Sequence, residues 1–182
     1  MTDEDEPATI PAHFYWKRLM PKLIVMVGLP GSGKDFMIEN RLKISDGEWY
    51  IASTDAIIEE YAASVGKTYS EVFDGQVKLA TKRMEKEVQE AIKAGKNVIW
   101  NQTNMAATKR AKILSKFPKD RYERIAIVVM VDEDIHNERL RKRAELTGKS
   151  IPAFVIKNMR DQYVKPTLEE GFDDILFVDN SV

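Results

Sequence analysis

The sequence contains no cysteine. A disulfide framework, a thiolate zinc site and a cysteine nucleophile are therefore excluded, and the composition is compatible with a reducing compartment. Long apolar runs are also missing, because no segment approaches the length of a membrane span, and the start "MTDEDEPATIPAHFYW" has no basic region followed by an apolar one. We therefore expect a soluble protein without a membrane segment, located in the cytoplasm, or in the host cytoplasm if a phage encodes it.

A large excess of charge of either sign is lacking as well. The 28 lysines and arginines nearly balance the 29 aspartates and glutamates, and four of the acids lie in the acidic start "MTDEDE". Without those four acids the net charge is about +3, which is too mild to indicate a nucleic-acid partner by charge alone. A hydrophobic share of 43% and a length of 182 residues are typical of one soluble globular domain.

Apolar segments of strand length alternate with segments of helical periodicity along the chain. The strand segments are 22–28, 48–53, 96–101, 124–132 and 173–179, and the helical segments are 34–42, 54–66, 74–94, 106–117, 132–148 and 151–165. Such alternation is typical of βαβ units, and the continuous apolar run "KLIVMVG" indicates a strand buried on both faces. We predict an α/β fold over residues 21–182, in three αβα layers with a mostly parallel sheet.

Residues 1–20 form a separate lead-in, which is acidic at first and then aromatic in "HFYWKRLM". We expect the aromatic part to pack on the domain. A base-stacking arm is the alternative, because aromatic residues interleaved with Lys17 and Arg18 suit contacts with nucleic acid. His13 and His136 lack the spacing of metal ligands, and we expect both at the surface.

The segment "GLPGSGKD" (28–35) matches the pattern G-x-x-x-x-G-K between a predicted strand and a predicted helix. Its glycines allow successive N–H groups to face a phosphate, and the helix that follows adds the positive end of its dipole. We predict that this phosphate loop binds a nucleoside triphosphate and that Lys34 reaches the β- and γ-phosphates. The predicted binding residues are Pro30, Gly31, Ser32, Gly33, Lys34 and Asp35.

Asp35 stands where such loops carry a serine or threonine, whose hydroxyl ligates magnesium. A carboxylate also suits a hard cation, but it brings a negative charge close to the β-phosphate. Asp35 is our candidate metal ligand, acting directly or through water. The alternatives are that other acids hold the cation, or that the loop binds nucleotide poorly.

Several segments beyond the loop resemble one family in their order and spacing. They are "GLPGSGKD", "STDAIIEEYAASVGKTYSEVF", "VIWNQTN", "RLRKRAELTGKSIP" and "FDDILFVD". Together they resemble the polynucleotide-kinase-like P-loop kinases, which include phage 5′-polynucleotide kinases, over about residues 22–180. The resemblance implies a P-loop kinase fold with a helical lid, ATP and Mg²⁺ as cofactors, and transfer of the γ-phosphate to a hydroxyl, typically the 5′-OH of DNA or RNA.

The resemblance also implies a general base, which is Asp55 in "STDAI". A carboxylate at the carboxyl end of a strand can accept the proton of an attacking hydroxyl. The alternative is that Asp55, or Thr54 beside it, caps the next helix. The family pattern places an arginine that contacts the acceptor three residues after the base, and here that position is Ile58.

Polar residues follow the third predicted strand, where "NQTN" matches the family's D-T-N turn with Gln102 in place of Asp. Thr103 and Asn104 are predicted to bind the acceptor or to orient Asp55, because open α/β sheets bind ligands at this edge. Capping of the next helix is the alternative. The segments "ATKRMEKEVQE" (80–90) and "TKRAK" (108–112) are together a candidate wall of an acceptor groove, although a mixed-charge helix is usually solvated.

The basic segment 132–148 is the candidate lid. Arg139 and Arg143 are i, i+4 neighbours and share one helical face, whereas Arg141 and Lys142 point elsewhere. In this family a lid arginine neutralises charge on the transferring phosphoryl group, which makes Arg143 the first candidate and Arg139 the second. A solvated face paired with Glu138 and Glu145 is the alternative. Lys149 is expected in the turn after the lid, near the nucleotide.

The function that we predict is ATP-dependent phosphorylation of a hydroxyl of nucleic acid, DNA or RNA, most simply a 5′-OH end. Lys34, Asp55, Arg143 and Arg139 are its catalytic candidates. Three alternatives remain open: a kinase of hydroxymethyl-pyrimidine bases in phage DNA, a kinase of a nucleoside or sugar, and a non-catalytic module that binds nucleotide or nucleic acid.

Overall fold

A buried strand, β1 (Lys22–Val27), lies at the centre of the fold. All six of its residues are buried, as its continuous apolar sequence predicts for a strand covered on both faces. The structure, a computed structural model, describes residues 20–181 except 43, 45 and 46. The predictions for 1–19, including the packing of the aromatic lead-in and the position of His13, lie outside the described residues.

Four further strands pair in parallel around β1: β2 (Trp49–Ala52), β3 (Asn97–Trp100), β4 (Glu123–Met130) and β5 (Asp174–Asp179). The order across the sheet is β2-β3-β1-β4-β5, with Ile24 of β1 opposite Ile99 on one side and Ile125 on the other. Because all five strands run the same way, the loops that follow them meet at one edge of the sheet.

Helices cover both faces of the sheet. They are α1 (Lys34–Asn40), α2 (Thr54–Ser64), α3 (Tyr69–Lys93), α4 (Ala107–Leu114), α5 (Glu133–Thr147) and α6 (Ala153–Asp161). Met84 of α3 and Leu114 of α4 pack in the core on one face of β1, and Met37 of α1 packs in the core on the other. The predicted three-layer α/β fold with a parallel sheet is confirmed. Within the described residues, none of the helices combines the length and apolarity needed to cross a bilayer.

The start of α3 differs from the prediction, because the helix begins at Tyr69 rather than near residue 74. Thr68 and Glu71 form a capping box: the Thr68 N–H donates to Glu71 Oε2 over 2.7 Å, and the Glu71 N–H donates to Thr68 Oγ1 over 3.4 Å. The apolar contacts of the helix already begin at Tyr69 and Val72, so the prediction placed its start too late.

The start of α2 also corrects the sequence prediction. The N-cap is Ser53, whose Oγ accepts a hydrogen bond from the Ala56 N–H over 3.2 Å, rather than Thr54 or Asp55. Asp55 lies in the first turn of the helix, so its carboxylate is not needed as a cap and is available for other contacts.

Candidate active site

The phosphate loop, residues 28–33, connects β1 to α1 at the carboxyl edge of the sheet. Gly31 and Gly33 adopt φ angles of 83° and 96°, in the left-handed region that glycine tolerates. A Cβ on Gly33 would also lie 1.9 Å from Nδ2 of Asn180. This position therefore requires glycine for its conformation and for space.

Three distant segments hold the loop by hydrogen bonds. The Gly28 N–H donates to the Thr103 carbonyl over 3.0 Å, and Nδ2 of Asn180 donates to the Ser32 carbonyl over 3.0 Å. Nε2 of His136 lies 2.7 Å from the Pro30 carbonyl, to which it donates. The loop is thus fixed by the end of β3, by the end of β5 and by α5.

His136 is buried, and its prediction as a surface residue is wrong. Helix α5 is strongly polar overall, so its composition does not indicate a buried face. One face nevertheless packs on the phosphate loop, where Leu140 and His136 flank Gly31. Burial lowers the pKa of His136, against the opposing effect of its bond to the Pro30 carbonyl. The neutral ring can donate this bond through Nε2.

Lys34 begins α1 and is buried beneath the loop. Its Nζ donates to the carbonyls of Gly28 and Leu29 over 2.9 and 2.8 Å. Burial lowers the pKa of Lys34 to about 8; the carboxylates of Asp35 and Asp55 oppose this shift, and the cations Arg143 and Lys149 add to it. Lys34, Asp55 and Arg143 therefore lie close enough to interact electrostatically.

The lid helix α5 has the two faces that its sequence predicts. Arg139 and Arg143 are partly buried on the inner face, and Arg141 and Lys142 are exposed and paired with Glu145 and Glu138. Both acids thus pair with the outer face of the helix. Nε and Nη2 of Arg143 are buried, and no atom of the described part of the chain accepts a hydrogen bond from them. Two unsatisfied guanidinium donors beside Lys34 suit an anionic group such as a phosphate.

Asp55 accepts hydrogen bonds at both carboxylate oxygens. Oδ1 accepts from the Tyr69 hydroxyl over 2.9 Å, and Oδ2 accepts from Nζ of Lys149 over 2.7 Å. Partial burial would raise the pKa of Asp55, but the charge and hydrogen bond of Lys149, the Tyr69 hydroxyl and the charge of Lys34 together lower it. Asp55 is therefore ionised at neutral pH, and 54% of its side chain is accessible to solvent.

Asp35 is exposed in the first turn of α1, and its Oδ1 accepts a hydrogen bond from Nδ2 of Asn101 over 2.6 Å. It borders a cavity of about 340 Å³ between the start of α1, α2, the start of α3 and the lid. The cavity is lined by Asp35, Glu59, Ala62, Ala63, Lys67, Thr68, Tyr69, Arg143, Thr147 and Lys149. Among residues 20–181 as described, no cluster of three or more potential metal-binding His, Asp or Glu residues occurs.

This donor set fits magnesium bound to a nucleotide. Mg²⁺ is usually held by one or two carboxylates together with phosphate oxygens and waters, so a single carboxylate at the loop is sufficient. Asp35, oriented by Asn101, would be that protein ligand, and Lys34 and Arg143 would hold the phosphates. Asn101 was not predicted, although its place directly after β3 is a signal that the sequence contains.

Asn104 departs from the predicted role in acceptor binding. It is buried with a φ angle of 47°, and its Nδ2 donates to the Met26 carbonyl over 2.7 Å. Its amide therefore faces the interior and supports the end of β1. Thr103 is partly buried, and its carbonyl accepts from the Gly28 N–H, while acceptor binding by its side chain stays a prediction.

Gln102 links two elements of the site, because its Nε2 donates to Thr54 Oγ1 over 2.7 Å and its Oε1 accepts from the Trp100 indole over 3.0 Å. An amide can do both, whereas a carboxylate can only accept. This pair of contacts gives a local reason for glutamine at the position where the family has aspartate.

Arg110 is fully buried, so its segment 108–112 does not present this side chain to a groove. Its Nε and Nη2 donate to both carboxylate oxygens of Glu170 over 2.8 and 2.6 Å, and its Nη1 donates to the carbonyls of Asn104 and Met105. The prediction that this segment lines an acceptor groove is therefore wrong for Arg110. Its guanidinium instead holds the turn after β3, whose Thr103 carbonyl contacts the phosphate loop.

A five-stranded parallel sheet, a phosphate loop with a buried lysine and a covering helix with inward arginines together define a P-loop kinase-like fold. The chain belongs to the AAA domain family AAA_33, whose profile matches residues 23–166. P-loop kinases generally use ATP and Mg²⁺.

Solved structures share this fold. A candidate kinase from Chloroflexus aurantiacus is 18% identical, with 91% of this chain and 88% of that one covered and a TM-score of 0.65. A chain of the Pnkp1/Rnl/Hen1 RNA repair complex is 24% identical, with coverage of 80% and 45% and a TM-score of 0.60. A gluconokinase from Sinorhizobium meliloti is 18% identical, with coverage of 89% and 84% and a TM-score of 0.51.

Among characterised proteins, the human heterogeneous nuclear ribonucleoprotein U-like protein 2 is 24% identical over 161 residues, which are 86% of this chain. The chain spans about a fifth (21%) of the length of that relative.

Proposed function

We propose that this protein transfers the γ-phosphate of ATP to a hydroxyl of nucleic acid, most simply a 5′-OH end of DNA or RNA. The observation that carries the proposal is the convergence of the Lys34 ammonium, the ionised Asp55 carboxylate and the two unsatisfied donors of Arg143 at the phosphate loop. Phosphoryl transfer depends on positioning and on charge stabilisation, and these groups supply both.

Each group has one role in the reaction. The acceptor oxygen forms a bond to the γ-phosphorus, the bond from that phosphorus to the β–γ bridging oxygen breaks, and ADP leaves with the electron pair. Asp55 accepts the proton of the attacking hydroxyl. Lys34 and the loop N–H groups hold the phosphates, and Arg143, with Arg139 beside the loop, stabilises the charge on the transferring group. Mg²⁺ held at Asp35 would neutralise charge on the β- and γ-phosphates.

Nucleic acid is the favoured acceptor because two of the similar proteins carry names that refer to RNA: the RNA repair complex and the human ribonucleoprotein. The acceptor contact must differ from the phage pattern. Ile58, at the position of the family's acceptor arginine, is fully buried between α2 and α3. Lys67 at the cavity rim is a candidate replacement for that cation.

A small-molecule kinase is the second candidate. A cavity of about 340 Å³ lies at the lower end of the volumes that bind small ligands, and the fold is shared with a gluconokinase. A nucleoside or a sugar would fit this volume, whereas a polynucleotide would leave most of its length outside.

Incubation with labelled ATP and Mg²⁺ tests the proposal across acceptors in parallel: 5′-OH DNA and RNA oligonucleotides, DNA with hydroxymethyl-pyrimidine bases, nucleosides and gluconate. We expect label on the 5′ end of an oligonucleotide. Label on a nucleoside or gluconate alone would favour the second candidate. Oligonucleotide binding without transfer to any acceptor would indicate a non-catalytic module and overturn the proposal.

We expect Asp55→Asn to lower the rate of transfer by about 10²-fold, because the amide cannot take the acceptor proton. The affinity for ATP should change far less than the rate, since Lys34, the loop N–H groups and Arg143 are the groups proposed to hold its phosphates. Rapid-quench measurement of the transfer step, with nucleotide binding measured in parallel by calorimetry, checks both expectations. Full turnover in Asp55→Asn would remove the assignment of Asp55 as the base.

We expect Asp35→Ala to raise the Mg²⁺ concentration for half-maximal transfer by about tenfold, because the site loses the carboxylate that is proposed to ligate the ion. Asp35→Ser should retain most of the wild-type affinity for Mg²⁺, since its hydroxyl is the usual ligand at this position. Titration of transfer activity with Mg²⁺ at saturating ATP measures the effect. Glu39→Ala, an exposed acid on the same helix, is the matched control. A faster Asp35→Ala enzyme with unchanged Mg²⁺ dependence would mean that the carboxylate impairs the site.

A further inference from the structure

We propose that Lys149, in the turn after the lid helix, is a positioning residue that orients Asp55. The proposal rests on the function proposed above, in which Asp55 is the base. It deepens that function by naming the residue that holds the proposed base in place.

The ammonium of Lys149 is surrounded by groups from two helices. Its Nζ donates to Asp55 Oδ2 over 2.7 Å and to Glu59 Oε1 over 2.8 Å, and it lies 4.1 Å from the ring centroid of Tyr69. Only 8% of its side chain is accessible, against 54% for each of the two acids. A lysine this buried, with two carboxylates and an aromatic face, is held in one place.

The two acids need a cation between them. Asp55 and Glu59 are i, i+4 neighbours on α2 and project from the same face, so their like charges repel. Lys149 offsets this repulsion and fixes Oδ2 of Asp55, while the Tyr69 hydroxyl fixes Oδ1. A carboxylate accepts about four hydrogen bonds, so capacity remains on Asp55 for the hydroxyl of an acceptor.

The turn that carries Lys149 is docked on the start of α3. The Ser70 hydroxyl donates to the Gly148 carbonyl over 2.8 Å and accepts from the Ser150 N–H over 3.3 Å. Gly148 has a φ angle of 68°, and a Cβ there would lie 2.9 Å from Cγ2 of Thr68. The close contact between this turn and the start of α3 therefore requires glycine. Arg143 lies one turn before the end of the same helix. One element therefore brings the phosphate-facing arginine and the base-orienting lysine together.

The charges around Asp55 give a measurable consequence. The groups that face it are Lys149 from the lid turn, Tyr69 from α3 and Lys34 from α1, with Glu59 on its own helix. Without Lys149, the carboxylates of Asp55 and Glu59 face each other, and both the lost attraction and the repulsion raise the pKa of Asp55. Protonated Asp55 cannot accept the hydroxyl proton, so the acid limb of the transfer rate moves to higher pH.

The test compares Lys149→Met and Lys149→Arg with the control Lys142→Met, a substitution of an exposed lysine on the lid helix α5. Carbon-13 NMR titration of the Asp55 carboxyl in the free protein should show its midpoint higher by about one pH unit or more in Lys149→Met. Lys149→Arg should restore it, and Lys142→Met should leave it unchanged. Thermal unfolding of each variant shows whether it is folded.

Transfer to a 5′-OH oligonucleotide across pH 4–9 is the second measurement, with the acid limb expected to shift by the same amount. An unchanged Asp55 titration in folded Lys149→Met overturns the inference, whatever the activity. A shifted titration with no transfer by the wild type to any acceptor leaves the electrostatic role of Lys149 standing and removes the proposed function. A shifted titration with an unshifted acid limb would mean that Asp55 is not the base, which overturns the inference.

Discussion

Arg143→Ala should slow phosphoryl transfer by about 10³-fold, the lower end of the effect of an arginine that acts on a transferring phosphoryl group. The reason is the pair of buried donors, Nε and Nη2, beside Lys34, which the substrate phosphate would satisfy. The loss should appear in the transfer step rather than in the affinity for ATP, because the charge that needs stabilising is greatest in the transition state. Single-turnover rates at saturating ATP and acceptor measure it.

The same helix supplies the comparison. Arg139→Ala should have a smaller effect, of about tenfold, since Lys34 and the loop N–H groups also stabilise the phosphate charge next to Arg139. Arg141→Ala should have none, because Arg141 is exposed on the outer face and pairs with Glu145. A larger effect of Arg139→Ala than of Arg143→Ala would transfer the catalytic role to Arg139.

Arg110→Ala should lower the free energy of unfolding by about 3–5 kcal/mol, the loss typical when one partner of a buried ion pair is removed. Arg110 is fully buried, holds Glu170 by two hydrogen bonds and satisfies the carbonyls of Asn104 and Met105. Alanine would remove both guanidinium hydrogen bonds from the largely buried Glu170 carboxylate and the side-chain donor from the Asn104 carbonyl, in addition to leaving a cavity, whereas the Met105 carbonyl would keep its bond from the Val164 N–H. Urea unfolding followed by circular dichroism measures the change.

Arg83→Ala is the matched control, because Arg83 is likewise an arginine paired with acids, Glu60 and Glu87, but is exposed. Its loss should be far smaller than that of Arg110. The double variant Arg110→Met with Glu170→Leu should recover part of the lost stability, since apolar residues can replace a buried pair. Equal losses for Arg110→Ala and Arg83→Ala would contradict a structural role for Arg110.

Local patterns predicted the fold, the place of the glycine-rich loop and the two faces of α5. The run "KLIVMVG" gave β1, the glycine pattern identified the loop, and the i, i+4 spacing placed Arg139 and Arg143 on the inner face of α5. Each of these signals depends on residues close together in the chain. The error at the start of α2 is also local: "STD" offers three capping side chains in succession, and the sequence does not select among them.

The unpredicted part of the site consists of pairs far apart in the chain. Asn180 and Ser32 are separated by 148 positions, His136 and Pro30 by 106, and Asn101 and Asp35 by 66. None of these residues has a neighbour in sequence that indicates its partner. Only the strand order of the sheet, β2-β3-β1-β4-β5, brings the ends of β3 and β5 beside the loop that follows β1.

The bond between Asn180 and Ser32 has a consequence for the order in which the site is made. A ribosome synthesises the phosphate loop before the end of β5, and at ordinary elongation rates roughly ten seconds separate them. During that interval the Ser32 carbonyl lacks its side-chain donor, and the loop has only part of its support. The phosphate loop therefore gains its full set of hydrogen bonds only after residue 180 has left the ribosome, and the loop that binds nucleotide is fully supported only once β5 has been made.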